Sequence, residues 1–166
     1  NKLLFKAKSF LNEGNIKEAI KIYETVLRFF PNNKLAKDEI EYLQKQIENN
    51  NKTNLLKKTA ELIKLYNQGR LSDLIYEAKK LTNIHPEAFI IWNLLGAASK
   101  RLGKIDEAFT YLKKVTELNP KYADGHNNLG VILQDLGKFD ESIDSFNLAL
   151  SLKPNYSEAY NNLAIT

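Results

Sequence analysis

Residues 92–120 and 126–154 state one pattern twice, and nothing else in the chain restricts its fold as much. The first copy reads WNLLGAASKRLGKIDEAFTYLKKVTELNP and the second HNNLGVILQDLGKFDESIDSFNLALSLKP. At an offset of 34 residues, Leu95 matches Leu129, Gly96 matches Gly130 and Leu102 matches Leu136. Gly103/Gly137, Lys104/Lys138, Asp106/Asp140, Glu107/Glu141 and Pro120/Pro154 continue the register. Each copy holds two helical stretches parted by a glycine turn. A period of this length built on two helices predicts an all-α solenoid of antiparallel helical hairpins, each burying its apolar face against its neighbours.

The same punctuation divides the rest of the chain. Residues 2–12 place Leu3, Leu4, Ala7, Phe10 and Leu11 at helical spacing, Gly14 breaks the run, and a second helix is expected over 16–30 before Pro31. Residues 1–31 are therefore a degenerate N-terminal hairpin. The next proline in register, Pro86, comes 55 residues later rather than 34. The excess predicts an amphipathic helix over 33–48 and then a loop across Asn49–Asn54, so 32–54 is read as an extra helix with an asparagine-rich hinge. A single helix over 33–68 is the alternative, opposed by three consecutive asparagines. Units of 55–88, 89–122 and 123–156 follow, and 157–166 begins a further one, with Tyr160, Leu163 and Ala164 aligned to Trp92, Leu95 and Gly96. The chain stops after that first helix and contains no methionine, so it is expected to be a piece of something longer.

The residues in these places resemble the tetratricopeptide repeat family. Trp92-x2-Leu95-Gly96-x2-Ser99 is similar to its opening motif with serine in place of tyrosine, and Ala108, Leu112 and Pro120 fill its small, large and terminal positions. The resemblance implies a right-handed superhelix whose hairpins present their first helices along a concave groove. Local chemistry explains the signature. Gly69, Gly103 and Gly137 are placed for positive φ in the turns. Gly96 and Gly130 are placed for close helix crossing, with Ala108 and Ser142 expected to face them. Trp92 is expected to be buried, so that truncation to alanine would cost about 3–5 kcal/mol. His126, in the same register, is expected to pack with one nitrogen satisfied, and His85 to lie at the surface.

Composition removes several functions. With no cysteine there is no disulfide, thiol nucleophile or cysteine zinc site. No phosphate-binding loop, nucleophile elbow or zincin helix is present, so a non-catalytic chain without cofactor or metal is expected. No stretch is long and apolar enough for a membrane span, and no signal peptide is evident, so no membrane partner and a cytoplasmic location are expected. Residues 1–122 carry 22 Lys/Arg against 14 Asp/Glu, and 123–166 carry 2 against 6. The charges are interspersed, which argues against nucleic acid, while the polarity favours contact between copies and a homo-oligomer through the C-terminal repeat face.

What remains for function lies between the signature positions. The resemblance puts a stripe of each first helix on the concave side: Ile90, Asn93, Ala97, Lys100 and Arg101; then Asp124, Asn127, Asn128, Val131, Gln134 and Asp135; then Glu158, Asn161, Asn162 and Ile165. A carboxamide both donates and accepts, so recurring asparagines could hold the peptide groups of an extended segment. Asn128-Leu129-Gly130 and Asn162-Leu163-Ala164 look like the asparagine ladder in the repeats of O-linked N-acetylglucosamine transferases, with Leu94 departing from it. The family's carboxylate clamp is not matched, since Ala97 and Glu158 stand where clamp residues are needed. The expected function is a protein-interaction module that binds a protein or peptide in its groove. One alternative is a docking domain of a longer enzyme, because the arrangement is similar to the N-terminal arrays of bacterial sulfotransferases and glycosyltransferases. Another is a self-assembly scaffold.

Overall fold

The computed structural model describes residues 2–166. Among them it contains nine α-helices and no strand: α1 (Lys2–Asn12), α2 (Ile16–Phe29), α3 (Lys34–Asn67), α4 (Leu71–Ile84), α5 (Phe89–Arg101), α6 (Ile105–Leu118), α7 (Ala123–Asp135), α8 (Phe139–Leu152) and α9 (Ser157–Ala164). The architecture is a series of antiparallel helical hairpins. The chain divides into two compact units, one ending at Lys57 and the other Lys58–Thr166.

The hairpin turns follow one chemical rule. Gly14, Gly69, Gly103 and Gly137 have φ between 72° and 75°, and no other residue has positive φ among those described. At each, two reverse hydrogen bonds close the preceding helix. Gly103 N–H donates to Lys100 O (2.9 Å) and Lys104 N–H to Ser99 O (2.9 Å). Gly137 and Lys138 repeat this with Gln134 and Leu133. This left-handed cap satisfies carbonyls the helix leaves open, and a glycine adopts it without a Cβ penalty.

In the first unit, Ala7, Ala19, Tyr23, Val26, Ala36 and Leu43 form the core under Leu3, Leu4, Phe10 and Leu11. In the second, consecutive helices from α4 to α9 pack on one another, and α5 also touches α7. Ala108, Leu112, Val115 and Ile132 form a core cluster beneath Phe89, Trp92, Phe109 and Tyr122.

Three expectations change. Residues 49–54 are helical, so the asparagine-rich hinge is not a loop and α3 is one helix of 34 residues. It starts on an Asn33 cap, whose Oδ1 accepts from Ala36 N–H at 2.9 Å. No glycine or proline interrupts 34–67, and continuing a helix through poor formers costs less than ending one and nucleating another. Trp92 is half-buried rather than buried: its indole N–H donates to Pro86 O at 2.9 Å, and its ring lies 5.9 Å from that of Tyr111. Trp92→Ala is therefore expected to cost about 2 kcal/mol, less than a fully buried tryptophan, measurable as a lowered urea midpoint. The space left by the crossing glycines is filled by Leu112 and Phe146, beyond the expected Ala108 and Ser142: a Cβ on Gly96 would lie 2.6 Å from Leu112 Cγ, and one on Gly130 2.6 Å from Phe146 Cε1. Ser142 does meet its glycine, donating its Oγ–H to Gly130 O at 2.7 Å.

His126 takes the role of Trp92 one repeat later. It is 7% exposed, and its Nε2 lies 2.9 Å from Pro120 O. A carbonyl only accepts, so Nε2 carries the hydrogen. His85, expected at the surface, is half-buried with Nδ1 3.5 Å from Glu87 Oε1.

Candidate functional site

Several of the recurring asparagines hydrogen-bond from one repeat to the next. Asn128 Nδ2 donates to Asn93 Oδ1 at 2.9 Å, and Asn162 Nδ2 donates to Asn127 Oδ1 at 3.0 Å. Both pairs are 35 residues apart, one repeat plus one position. Asn127 is fully buried, and its Nδ2 also reaches Glu158 Oε1 at 3.3 Å. Both ends of the Asn127 carboxamide are thus engaged within the protein. The recurrence reflects contact between successive first helices. Asn161 is exposed in the corresponding place on α9.

Other residues of the predicted stripe are also tied across helices. Lys100 Nζ lies 3.8 Å from Asp135 Oδ2, joining the ends of α5 and α7. Gln134 Nε2 donates to Ile165 O at 3.3 Å. Asp124 pairs with Lys153 at 3.5 Å and stands beside Tyr122 and Tyr156. Burial first, and then the Asp124 carboxylate, push both phenols above the ordinary tyrosine range. These exposed or half-exposed ion pairs hold geometry more than they add stability.

Six stripe residues come together around a cavity of about 320 Å³: Ala97, Lys100, Arg101, Asn128, Val131 and Glu158, together with Tyr66, Gly96 and Leu112. Its floor is apolar, and its polar groups differ in sign. The Arg101 guanidinium sits 4.9 Å from the Tyr66 ring centroid and donates to Tyr66 O at 3.2 Å. It is thus held in one orientation before any ligand arrives. Asn128 spends its Nδ2 on Asn93 and keeps Oδ1 as an acceptor. Asn93, Asp124, Asn127, Gln134, Asp135, Asn161 and Asn162 do not line this cavity.

Tyr66 is the residue the sequence reading missed. It lies 34 positions before Lys100, so carrying the register back one more repeat, into the end of α3, would have placed it on the same stripe. Among the described residues no group of three or more His, Asp or Glu side chains is placed to hold a metal ion, and no helix is long and apolar enough to cross a membrane.

Comparison with known proteins agrees with this geometry. The pattern described as tetratricopeptide repeat matches residues 123–156 and, in another version, 6–33; a TPR repeat pattern matches 100–137. Between them these take in more than half of the chain. No curated protein sequence matches it. Among solved structures, MamA superposes with a TM-score of 0.59 at 21% identity, covering 96% of this chain and 81% of MamA. The first TPR domain of Spaghetti (RPAP3), bound to the HSP90 peptide SRMEEVD, gives 0.64 at 24% identity, covering 66% and 87%. A mutant O-GlcNAc transferase of Thermobaculum terrenum gives 0.65 at 25% identity, covering 68% of this chain but 22% of the enzyme.

Proposed function

Because the chain belongs to the tetratricopeptide repeat family, we propose that it is a non-catalytic protein-interaction module whose Lys58–Thr166 unit holds an extended segment of a partner protein against α5, α7 and α9. The observation that carries this reading is the cavity lined by Tyr66, Lys100, Arg101, Asn128, Val131 and Glu158. Its chemistry suits a segment with an acidic side chain at the α5 end. Lys100 and the pre-set Arg101 guanidinium would receive that carboxylate, and Asn128 Oδ1 would accept a backbone N–H. Ala97, Leu112 and Val131 leave room for a small apolar side chain, and Glu158 would favour a donor at the far side. The peptide in the RPAP3 complex is itself acidic, which supports the choice.

Calorimetric titration with extended peptides carrying spaced Glu and Asp, beside their Gln and Asn counterparts, tests the reading. The acidic set is expected to bind and to weaken with salt. Lys100→Ala combined with Arg101→Ala is expected to weaken it about thirtyfold, as loss of charge-assisted hydrogen bonds implies. Equal binding by the variant would end the assignment of the groove. A second reading, a docking domain within a longer enzyme, draws on the likeness to the O-GlcNAc transferase, of which the chain spans about a fifth. Both readings use the same groove.

A further inference from the structure

Two stretches of the first hairpin and the residues after it carry cations without acids. Residues 2–12 and 25–37 hold Lys2, Lys6, Lys8, Arg28, Lys34 and Lys37 and no acidic residue. All six are exposed, and none makes an ion pair among the described residues. Elsewhere lysines commonly bridge a glutamate one turn away, as Lys58, Lys80 and Lys114 do. The two basic segments meet at the open end of the first hairpin, where Lys2, Leu3 and Leu4 share a cleft of about 410 Å³ with Val26, Phe30 and Asn33. Beside them stand three of the most exposed aromatic residues among those described: Phe5 at 78%, Phe29 at 71% and Phe30 at 64%. Leu35 is 45% exposed. A soluble surface rarely leaves this many large apolar side chains in water together.

Cations without ion-pair partners around projecting phenylalanines and Leu35, with Leu3 and Leu4 lining the adjoining cleft, have the composition of an interfacial membrane anchor. We infer that the open end of the α1–α2 hairpin docks on an anionic bilayer surface, with Phe5, Phe29 and Phe30 entering the headgroup region and the six cations over acidic lipid. Charge complementarity selects the anionic surface. The aliphatic Leu3, Leu4 and Leu35 among the phenylalanines favour lipid over stacked bases, which call for planar platforms. Peripheral docking needs no spanning helix. The sequence-based expectation of no membrane partner rested on the lack of a span, which does not bear on peripheral docking. The inference does not depend on the groove of the second unit.

Co-sedimentation of the full chain with phosphatidylcholine vesicles, and with vesicles containing phosphatidylserine, is the test. Binding is expected on the phosphatidylserine vesicles only and is expected to fall as salt rises. Lys6→Glu with Lys8→Glu should reduce partitioning by more than tenfold, since each removed charge is worth about fivefold. Phe5→Ser, Phe29→Ser and Phe30→Ser together should abolish binding that persists at high salt, with helicity unchanged by circular dichroism. If that triple variant loses helicity, Phe5→Ser alone replaces it, because this exposed side chain is not part of the cleft. Equal binding to both vesicle types, binding insensitive to the phenylalanines, or binding of single-stranded oligonucleotide or acidic peptide in place of vesicles would each overturn the inference.

Discussion

Gly130→Ala is expected to destabilise the Lys58–Thr166 unit by about 2–3 kcal/mol, the upper range for overpacking a filled core. The added Cβ would lie 2.6, 2.8 and 2.9 Å from three atoms of the Phe146 ring. That ring is fully buried, so it cannot turn into solvent, and α7 and α8 must part to admit the methyl. Separation would also stretch the Ser142 Oγ–H bond to Gly130 O, now 2.7 Å. Gly137→Ala is the informative control. Nothing lies within 4 Å of its Cβ position, but its φ is 73°, so the cost is backbone strain alone, about 1 kcal/mol. Urea unfolding measures both. Introducing Gly130→Ala into a Phe146→Leu background should shrink its penalty, because a leucine can yield where a ring cannot. Equal penalties in the two backgrounds would show that the ring contact is not the cause.

The second large effect belongs to the middle of α3. From Glu48 to Asn54 every residue is exposed, between buried Leu43 and buried Leu62. Four of those seven residues are asparagines, each about 0.6 kcal/mol worse than alanine in a helix. No burial offsets that loss, and the compact units part at Lys57/Lys58, just beyond it. Amide hydrogen exchange is therefore expected to run at least a hundredfold faster over 48–54 than around Leu43 and Leu62, through local opening of the helix. Asn49→Ala, Asn50→Ala and Asn51→Ala together add about 2 kcal/mol of helix propensity and should slow that exchange about twentyfold. Exchange as slow as in the flanking turns would mean that the segment is held by something other than its own backbone.

How much was legible varied with how local the cause was. The turn glycines were readable because positive φ is a property of one residue. The hairpins were readable because apolar spacing and proline stops act within a few residues. The Asn49–Asn54 loop was misread because propensity is summed locally, while a helix without glycine or proline propagates cooperatively. The crossing glycines were recognised, and Ser142 does meet Gly130, but the large residues that fill the space beside them were not named. Size decided that point: Leu112 and Phe146 are large enough to fill the space a missing side chain leaves.

The candidate site shows the same division more sharply. A 34-residue recurrence of asparagine is what a ligand ladder would produce, and equally what a joint between neighbouring repeats would produce. Sequence alone cannot separate these, because both demand one carboxamide per repeat. By itself the sequence determined the all-α repeat, its turns and the family, since these follow from backbone conformation and periodic burial. Only the tertiary structure decided that Asn127 is consumed by Asn162 and Glu158 while Lys100, Arg101 and Asn128 line a cavity with Tyr66. Burial and hydrogen-bond partners depend on residues a full repeat away. One position around the helix separates a side chain wedged between two helices from one open to solvent.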